Sequence, residues 1–266
     1  MPPKRWTPCP RTPMAESARP LGTRVLFWGA VALGLAVCAR TGWRLQESVA
    51  LTRLSQPLQR PLVQPALRLL IVGDSTAVGT GASAPQASVA GLLAERFPRL
   101  QIDNRSRDGA TFAGLLAQLD GDDRVDMVLV MAGGNDVVRL RGLQALQSDV
   151  ERVVKRARQR ADRVVLMPAG NVGSAPFFLP PWSWWMTARS RQLHAIVNEA
   201  ASRPGAGAVV VDLFRERADD PFVQQPALNA RDGLHPNDAG YRVWFGELMA
   251  QAALQQRLSA ALAAAP

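Results

Sequence analysis

Along the chain, short unbroken apolar runs alternate with longer stretches in which apolar residues recur at helical spacing. Leu69-Leu70-Ile71-Val72, closed by Gly73, has the pattern of a strand buried on both faces. Val89, Leu92, Leu93 and Phe97 then return every three to four residues before Pro98, which predicts a helix. Residues 101–104 predict a second strand and 111–119 a second helix. The strongest strand signal is 125–131, again closed by Gly133 and Gly134. An amphipathic helix is expected over 143–160, with Arg152, Lys155, Arg156, Arg158, Arg160 and the following Arg163 read as a solvated basic face. Strands at 163–167 and 208–211 flank a helix over 187–201. The last helix starts near Asn237, with Tyr241, Trp244, Phe245, Leu248 and Ala252 on one side. Such alternation predicts an α/β domain with a parallel sheet covered on both faces, whose ligands bind beyond the carboxyl ends of the strands.

The first 66 residues follow another pattern. Lys4, Arg5, Arg11, Arg19 and Arg24 precede an apolar run from Val25 to Ala39, which Arg40 ends. The run is short for a bilayer span of roughly 20 residues and suits the core of a signal peptide. Extension through Trp43, with Arg40 snorkelling, gives an uncleaved anchor instead. A buried core helix fits the flanking cations badly. The expected organisation is a signal peptide or membrane anchor at 1–40, a Pro-containing linker at 41–66, a catalytic-type domain at 67–258 and an Ala-rich tail at 259–266. The linker reads as a membrane-proximal stalk with a short amphipathic helix near 43–54. In either exported reading the domain lies outside the cytoplasm, periplasmic or extracytoplasmic.

Charge follows the same division. Residues 1–66 hold nine Lys/Arg against two acids, whereas 67–266 hold 22 against 20 within an overall net charge of +9. A nearly neutral domain lacks the concentrated basic face that nucleic acid requires. Both cysteines, Cys9 and Cys38, precede the domain, which excludes thiol chemistry and thiolate metal ligation within it.

Polar clusters stand at the predicted strand ends. Gly73-Asp74-Ser75 puts a serine on a sharp strand-to-helix turn, where backbone N–H groups can face a developing oxyanion. Asp232-Gly233-Leu234-His235-Pro236-Asn237 offers an imidazole that can take a serine proton, and an aspartate three residues earlier that can orient the ring. The domain's other histidine, His194, lies inside a predicted helix without an acidic neighbour in sequence and reads as structural. Arg107-Asp108-Gly109-Ala110 and Gly133-Gly134-Asn135-Asp136 follow the second and third strands. A glycine N–H and an asparagine amide are suitable oxyanion donors, although each loop alone is also an ordinary turn or cap.

Taken in order, Gly-Asp-Ser, Gly, Gly-x-Asn-Asp and Asp-x-x-His resemble the SGNH hydrolase superfamily, also called GDSL esterases and lipases. The resemblance covers about 70–250 and includes the Pro-Asn-x-x-Gly-Tyr run at 236–241. It implies a three-layer α/β/α sandwich around a five-stranded flavodoxin-like sheet, with no metal and no cofactor. By motif position it makes Ser75 the nucleophile, His235 the base and Asp232 its orienting acid. The oxyanion donors would be the Ser75 and Gly109 N–H groups and the Asn135 side chain. Thr76 stands where the family name has Leu. The α/β-hydrolase elbow fits less well, since Ala77 replaces its final glycine.

The longest irregular stretch, 171–187, carries Phe177, Phe178, Trp182, Trp184 and Trp185. Three readings suit it: an acyl-chain wall or membrane-interface patch, a loop packed on its own domain, and a sugar-stacking platform. The expected activity is hydrolysis of lipid, acyl or acetyl esters. The rivals are an acyltransferase or O-deacetylase of envelope polysaccharide, a non-catalytic module of the same fold, and a flavodoxin-like phosphate binder at 73–81.

Overall fold

A computed structural model describes residues 21–253. Lys4, Arg5, Cys9, Arg11, Arg19 and the tail at 259–266 lie outside the described residues. The chain divides between Gly42 and Trp43 into two compact units. Helix α1 is assigned to Leu21–Leu54. Its part from Val25 to Leu54 is long and apolar enough, by length and composition, to cross a membrane. Cys38 is exposed on it.

From Trp43 onward the elements are the end of α1, β1 (Leu67–Gly73), α2 (Ser75–Val78), α3 (Val89–Arg96), β2 (Leu100–Asn104), α4 (Phe112–Gln118), β3 (Met127–Ala132), α5 (Gly134–Val138), α6 (Leu143–Arg160), β4 (Arg163–Pro168), α7 (Trp182–Ser202), β5 (Ala208–Val210), α8 (Pro221–Gln224) and α9 (Asp238–Gln251). The five strands are parallel in the order β2-β1-β3-β4-β5. Alternation of side chains across the sheet explains the unbroken apolar runs. Leu69, Ile71, Leu129 and Met131 face Leu93 of α3 and Tyr241 and Leu248 of α9. Leu70, Val72, Val128 and Val130 face Leu115 of α4, Val153 of α6 and Leu193 of α7. This is the expected three-layer flavodoxin-like sandwich. The chain winds from β1 to β2 on one side and to β3 on the other, which opens a crevice above β1 and β3.

Three details differ from expectation. The linker expected at 41–66 is helical to Leu54, as expected near 43–54, but beyond it the chain packs on the domain rather than standing as a stalk: Arg60 forms an antiparallel bridge with Ile102, and Leu58 packs on the core. Edge strand β2 thereby gains a covering partner for its outer backbone groups. Arg160 is not on the solvated face of α6. It is buried and donates to the carbonyls of Leu119 (2.9 Å), Asp120 (2.6 Å) and Asp123 (2.7 Å), which satisfies the turn entering β3. The irregular stretch at 171–187 is shorter than expected, because a 3-10 turn covers Val172–Ser174 and α7 already begins at Trp182.

Candidate active site

Each polar cluster lies at a carboxyl strand end or in the turn that packs against one. After β1, Asp74 caps α2, its carboxylate accepting Thr76 N–H at 2.9 Å and Thr76 Oγ1–H at 2.8 Å. Ser75 follows as the first residue of that helix. In the segment between α8 and α9, Asp232 Oδ1 accepts the N–H groups of Leu234 (3.0 Å) and His235 (3.1 Å). This Asx turn folds the aspartate against its own histidine, so Oδ2 meets His235 Nδ1 at 2.6 Å. The other ring nitrogen, Nε2, lies 2.8 Å from Ser75 Oγ. Ser75, Asp232 and His235 are therefore one hydrogen-bonded chain, and all three are buried.

Burial opposes the charge on Asp232, but the hydrogen bond and electrostatic attraction of the His235 ring and the two backbone N–H groups outweigh it and hold its carboxyl below the usual range. A carboxylate kept ionised there directs Nδ1–H towards itself and leaves Nε2 as an acceptor for the serine hydroxyl.

The loops after β2 and β3 complete the ring. Thr80 Oγ1 donates to Asp108 at 2.7 Å, which ties the serine turn to the loop carrying Gly109. Asp136, beside Asn135, accepts Phe112 N–H at 3.0 Å. Burial pushes the Asp136 carboxyl up to about 6, with the nearby Asp74 charge adding to it and Phe112 N–H and Arg141 opposing. Asp74 is likewise raised by burial, against hydrogen bonds from Thr76 and Gly134. Both acids look like ordinary turn formers in sequence, and their knitting of the loops becomes visible only in three dimensions.

Ser75, Gly109, Asn135 and His235 line one cavity of about 240 Å³. Its apolar wall comes from Val172, Leu213, Phe222, Leu234, Val243 and Trp244. None of the five aromatics expected to bind substrate lines it. Phe178 packs on the core, while Trp182, Trp184 and Trp185 are exposed on the first turn of α7, with Trp182 and Trp185 stacked 5.3 Å apart. Pro181 stands at the N-cap of that helix. His194 also lies outside the cavity, bonded to the Ala169 carbonyl at 2.9 Å, but it has an acidic neighbour after all, Asp212 at 2.9 Å. Among the described residues no three His, Cys, Asp or Glu side chains gather as a metal-ligand set.

The model of the GDSL-like lipase/acylhydrolase family matches residues 71–243. A GDSL-like esterase of Mycobacterium tuberculosis is 28% identical over 184 residues, 66% of this chain and 58% of that protein. Esterase TesA of Pseudomonas aeruginosa is 32% identical over 108 residues, 38% of this chain and 54% of that protein. The matches thus span little more than half the length of these relatives. Among solved structures, TesA superposes with a TM-score of 0.55 at 24% identity, covering 71% of this chain and 98% of that one. Axe2, an acetylxylan esterase from Geobacillus stearothermophilus, gives 0.53 at 22% identity, covering 71% and 95%. At these identities the structural likeness concerns the fold.

Proposed function

The chain belongs to the GDSL-like lipase/acylhydrolase family, and on that premise we propose that it is a serine esterase hydrolysing carboxylic esters through an acyl-enzyme on Ser75. The observation that carries this reading is the hydrogen-bonded chain from Ser75 Oγ through His235 to Asp232, with steps of 2.8 and 2.6 Å. His235 Nε2 takes the hydroxyl proton as Oγ attacks the ester carbonyl carbon, and Asp232 stabilises the imidazolium that forms. The carbonyl oxygen becomes an oxyanion and accepts from the Ser75 and Gly109 N–H groups and the Asn135 amide, all three residues lining the same cavity. His235 then gives its proton to the leaving alkoxide as the ester C–O bond breaks. Water, deprotonated by the same imidazole, then attacks the acyl carbon, the Ser75 Oγ–acyl bond breaks with Oγ taking the proton back from His235, and the carboxylic acid leaves.

The wall formed by Val172, Leu213, Phe222 and Trp244 favours an apolar acyl group over a polysaccharide acetate. The two curated relatives named esterases support the reaction class. The apolar segment at 25–39 serves export, as a cleaved signal or a retained anchor. The boundaries of the catalytic domain are taken as 67–258.

The test is a p-nitrophenyl ester series from acetate to palmitate on the full chain, with Ser75→Ala and His235→Ala beside wild type. The reading predicts turnover that both substitutions remove, and an optimum longer than acetate. Equal hydrolysis by wild type and both variants would remove the triad assignment.

A further inference from the structure

The family match begins at residue 71, yet part of the cavity wall comes from residues well before it. Ser48 and Thr52, on the last turns of α1, line the same cavity as Ser75 and His235. Arg44, Glu47, Ser48 and Leu51, at positions i, i+3, i+4 and i+7, are half-buried, while Trp43, Leu45, Gln46 and Val49 are exposed. One face of this helix is therefore covered, and the face is largely polar.

What it touches is the turn that holds the histidine. Arg44 Nη1 donates to the backbone carbonyl of Asp232 at 2.9 Å. The Glu47 carboxylate pairs with Arg231 Nε at 2.5 Å. Gly233, at φ +66°, lies so close under the guanidinium that a Cβ there would sit 1.6 Å from Arg44 Nη1. The left-handed backbone favours glycine at 233, and any larger side chain would have to displace the end of the Arg44 guanidinium. On the turn's other flank, Phe177 N–H donates to the Gly233 carbonyl at 2.8 Å. The Asp232–His235 turn is thus gripped between α1 and the segment before α7.

We propose that residues 44–52 of α1 are a positioning and specificity element of the active site. Arg44 and Glu47 hold the Asp232–His235 turn in register with Ser75, and Ser48 and Thr52 set how far an acyl group can extend along the α1 side of the cavity. The proposal rests on the esterase reading for its kinetic part only. The donor in the Arg44 bond is charged and partly buried, which makes it a stronger restraint than an exposed neutral one. Leader removal after Ala39 would leave the element on the chain.

The test uses the full chain with Arg44→Ala, Arg44→Lys, Ser48→Trp and, on the exposed side of the same helix, Arg53→Ala. Kinetics on p-nitrophenyl esters are read together with amide hydrogen exchange at Leu234 and His235. A displaced general base costs turnover more than binding, so Arg44→Ala should lower kcat about tenfold to hundredfold with KM within about twofold, and Arg44→Lys should recover part of the loss. Exchange at Leu234 and His235 should accelerate in Arg44→Ala and stay unchanged in Arg53→Ala. Ser48→Trp should move the chain-length optimum towards shorter esters. Wild-type kcat and exchange in Arg44→Ala would overturn the positioning role, and an unchanged chain-length profile in Ser48→Trp would overturn the specificity role. A wild-type chain that takes no fluorophosphonate label would bring down the esterase reading instead, and the exchange comparison would still decide whether Arg44 holds the turn.

Discussion

The Asp136 carboxylate accepts the backbone N–H of Phe112 at 3.0 Å, so the residue next to Asn135 fixes the loop that carries Gly109. The two arms of the proposed oxyanion site are joined through a fully buried acid whose Arg141 partner stands 3.9 Å away. Because burial raises this carboxyl to about 6, against an ordinary 3.8, the folded chain holds its proton more tightly than the unfolded one. The stabilising contribution is complete below about pH 4 and is lost as the pH rises through about 6, amounting to at most about 3 kcal/mol. Asp136→Asn keeps an acceptor for Phe112 N–H and removes the titration. In urea denaturation, the variant should gain stability relative to wild type between about pH 4 and pH 6. A stability difference constant across that range would contradict the assignment.

Oxyanion donors are read from turnover rather than binding. Asn135→Ala should lower kcat about 100- to 1000-fold with little change in KM. Gly109 is at φ +74°, and a Cβ there would lie 3.2 Å from Arg139 Nη2, so Gly109→Ala strains the loop itself. The strain is on the order of 1–2 kcal/mol, and it should appear as lost stability together with lost kcat. Steady-state kinetics and thermal melts of both variants check this.

Asp232→Asn retains the size of the side chain but offers no carboxylate to the imidazole. The ring then loses its preferred tautomer, and kcat should fall about 10³- to 10⁴-fold. The wild-type carboxyl is held below its ordinary range, so its contribution to stability is present above that range and is lost as the pH falls through the depressed value. Comparing acid unfolding of Asp232→Asn with wild type should show the wild type losing its advantage on the acid side.

In the proposed reading the apolar wall limits acyl length, and there Trp244 stands edge-on to Phe222 with ring centroids 5.9 Å apart. Trp244→Ala should broaden the acyl range towards longer esters. Trp184, exposed and outside the cavity, should be replaceable by Ala without change in kcat/KM on soluble esters. A large loss in Trp184→Ala would return the tryptophan cluster to the substrate path.

Local pattern accounts for most of the fold. Helix α6 runs over the residues its amphipathic spacing marks, and β3, apolar throughout, is buried throughout. That Ser75, Asp232 and His235 come together was legible only from the order of the four short motifs and the resemblance they carry, since the serine turn and the Asp-x-x-His turn are each ordinary turns alone. The rest depends on contacts between distant segments. The start of α7 was hidden because Pro180-Pro181 and the clustered tryptophans have loop composition. A helix near 43–54 is legible from its spacing, but not which face it packs, because Arg44, Glu47 and Ser48 on the covered face are polar. Leu213, Phe222 and Trp244 carry no local mark of a cavity, since the wall exists only once β5, α8 and α9 meet above the sheet.

The most direct test of the central claim is mass spectrometry of the full chain after treatment with a fluorophosphonate. Phosphonylation needs a serine Oγ activated by a base and an oxyanion site able to accept the phosphoryl oxygen. The account predicts a single adduct on the peptide containing Ser75, absent in Ser75→Ala and strongly slowed in His235→Ala. Folded wild-type protein that remains unlabelled, or that is labelled at another serine, would contradict it.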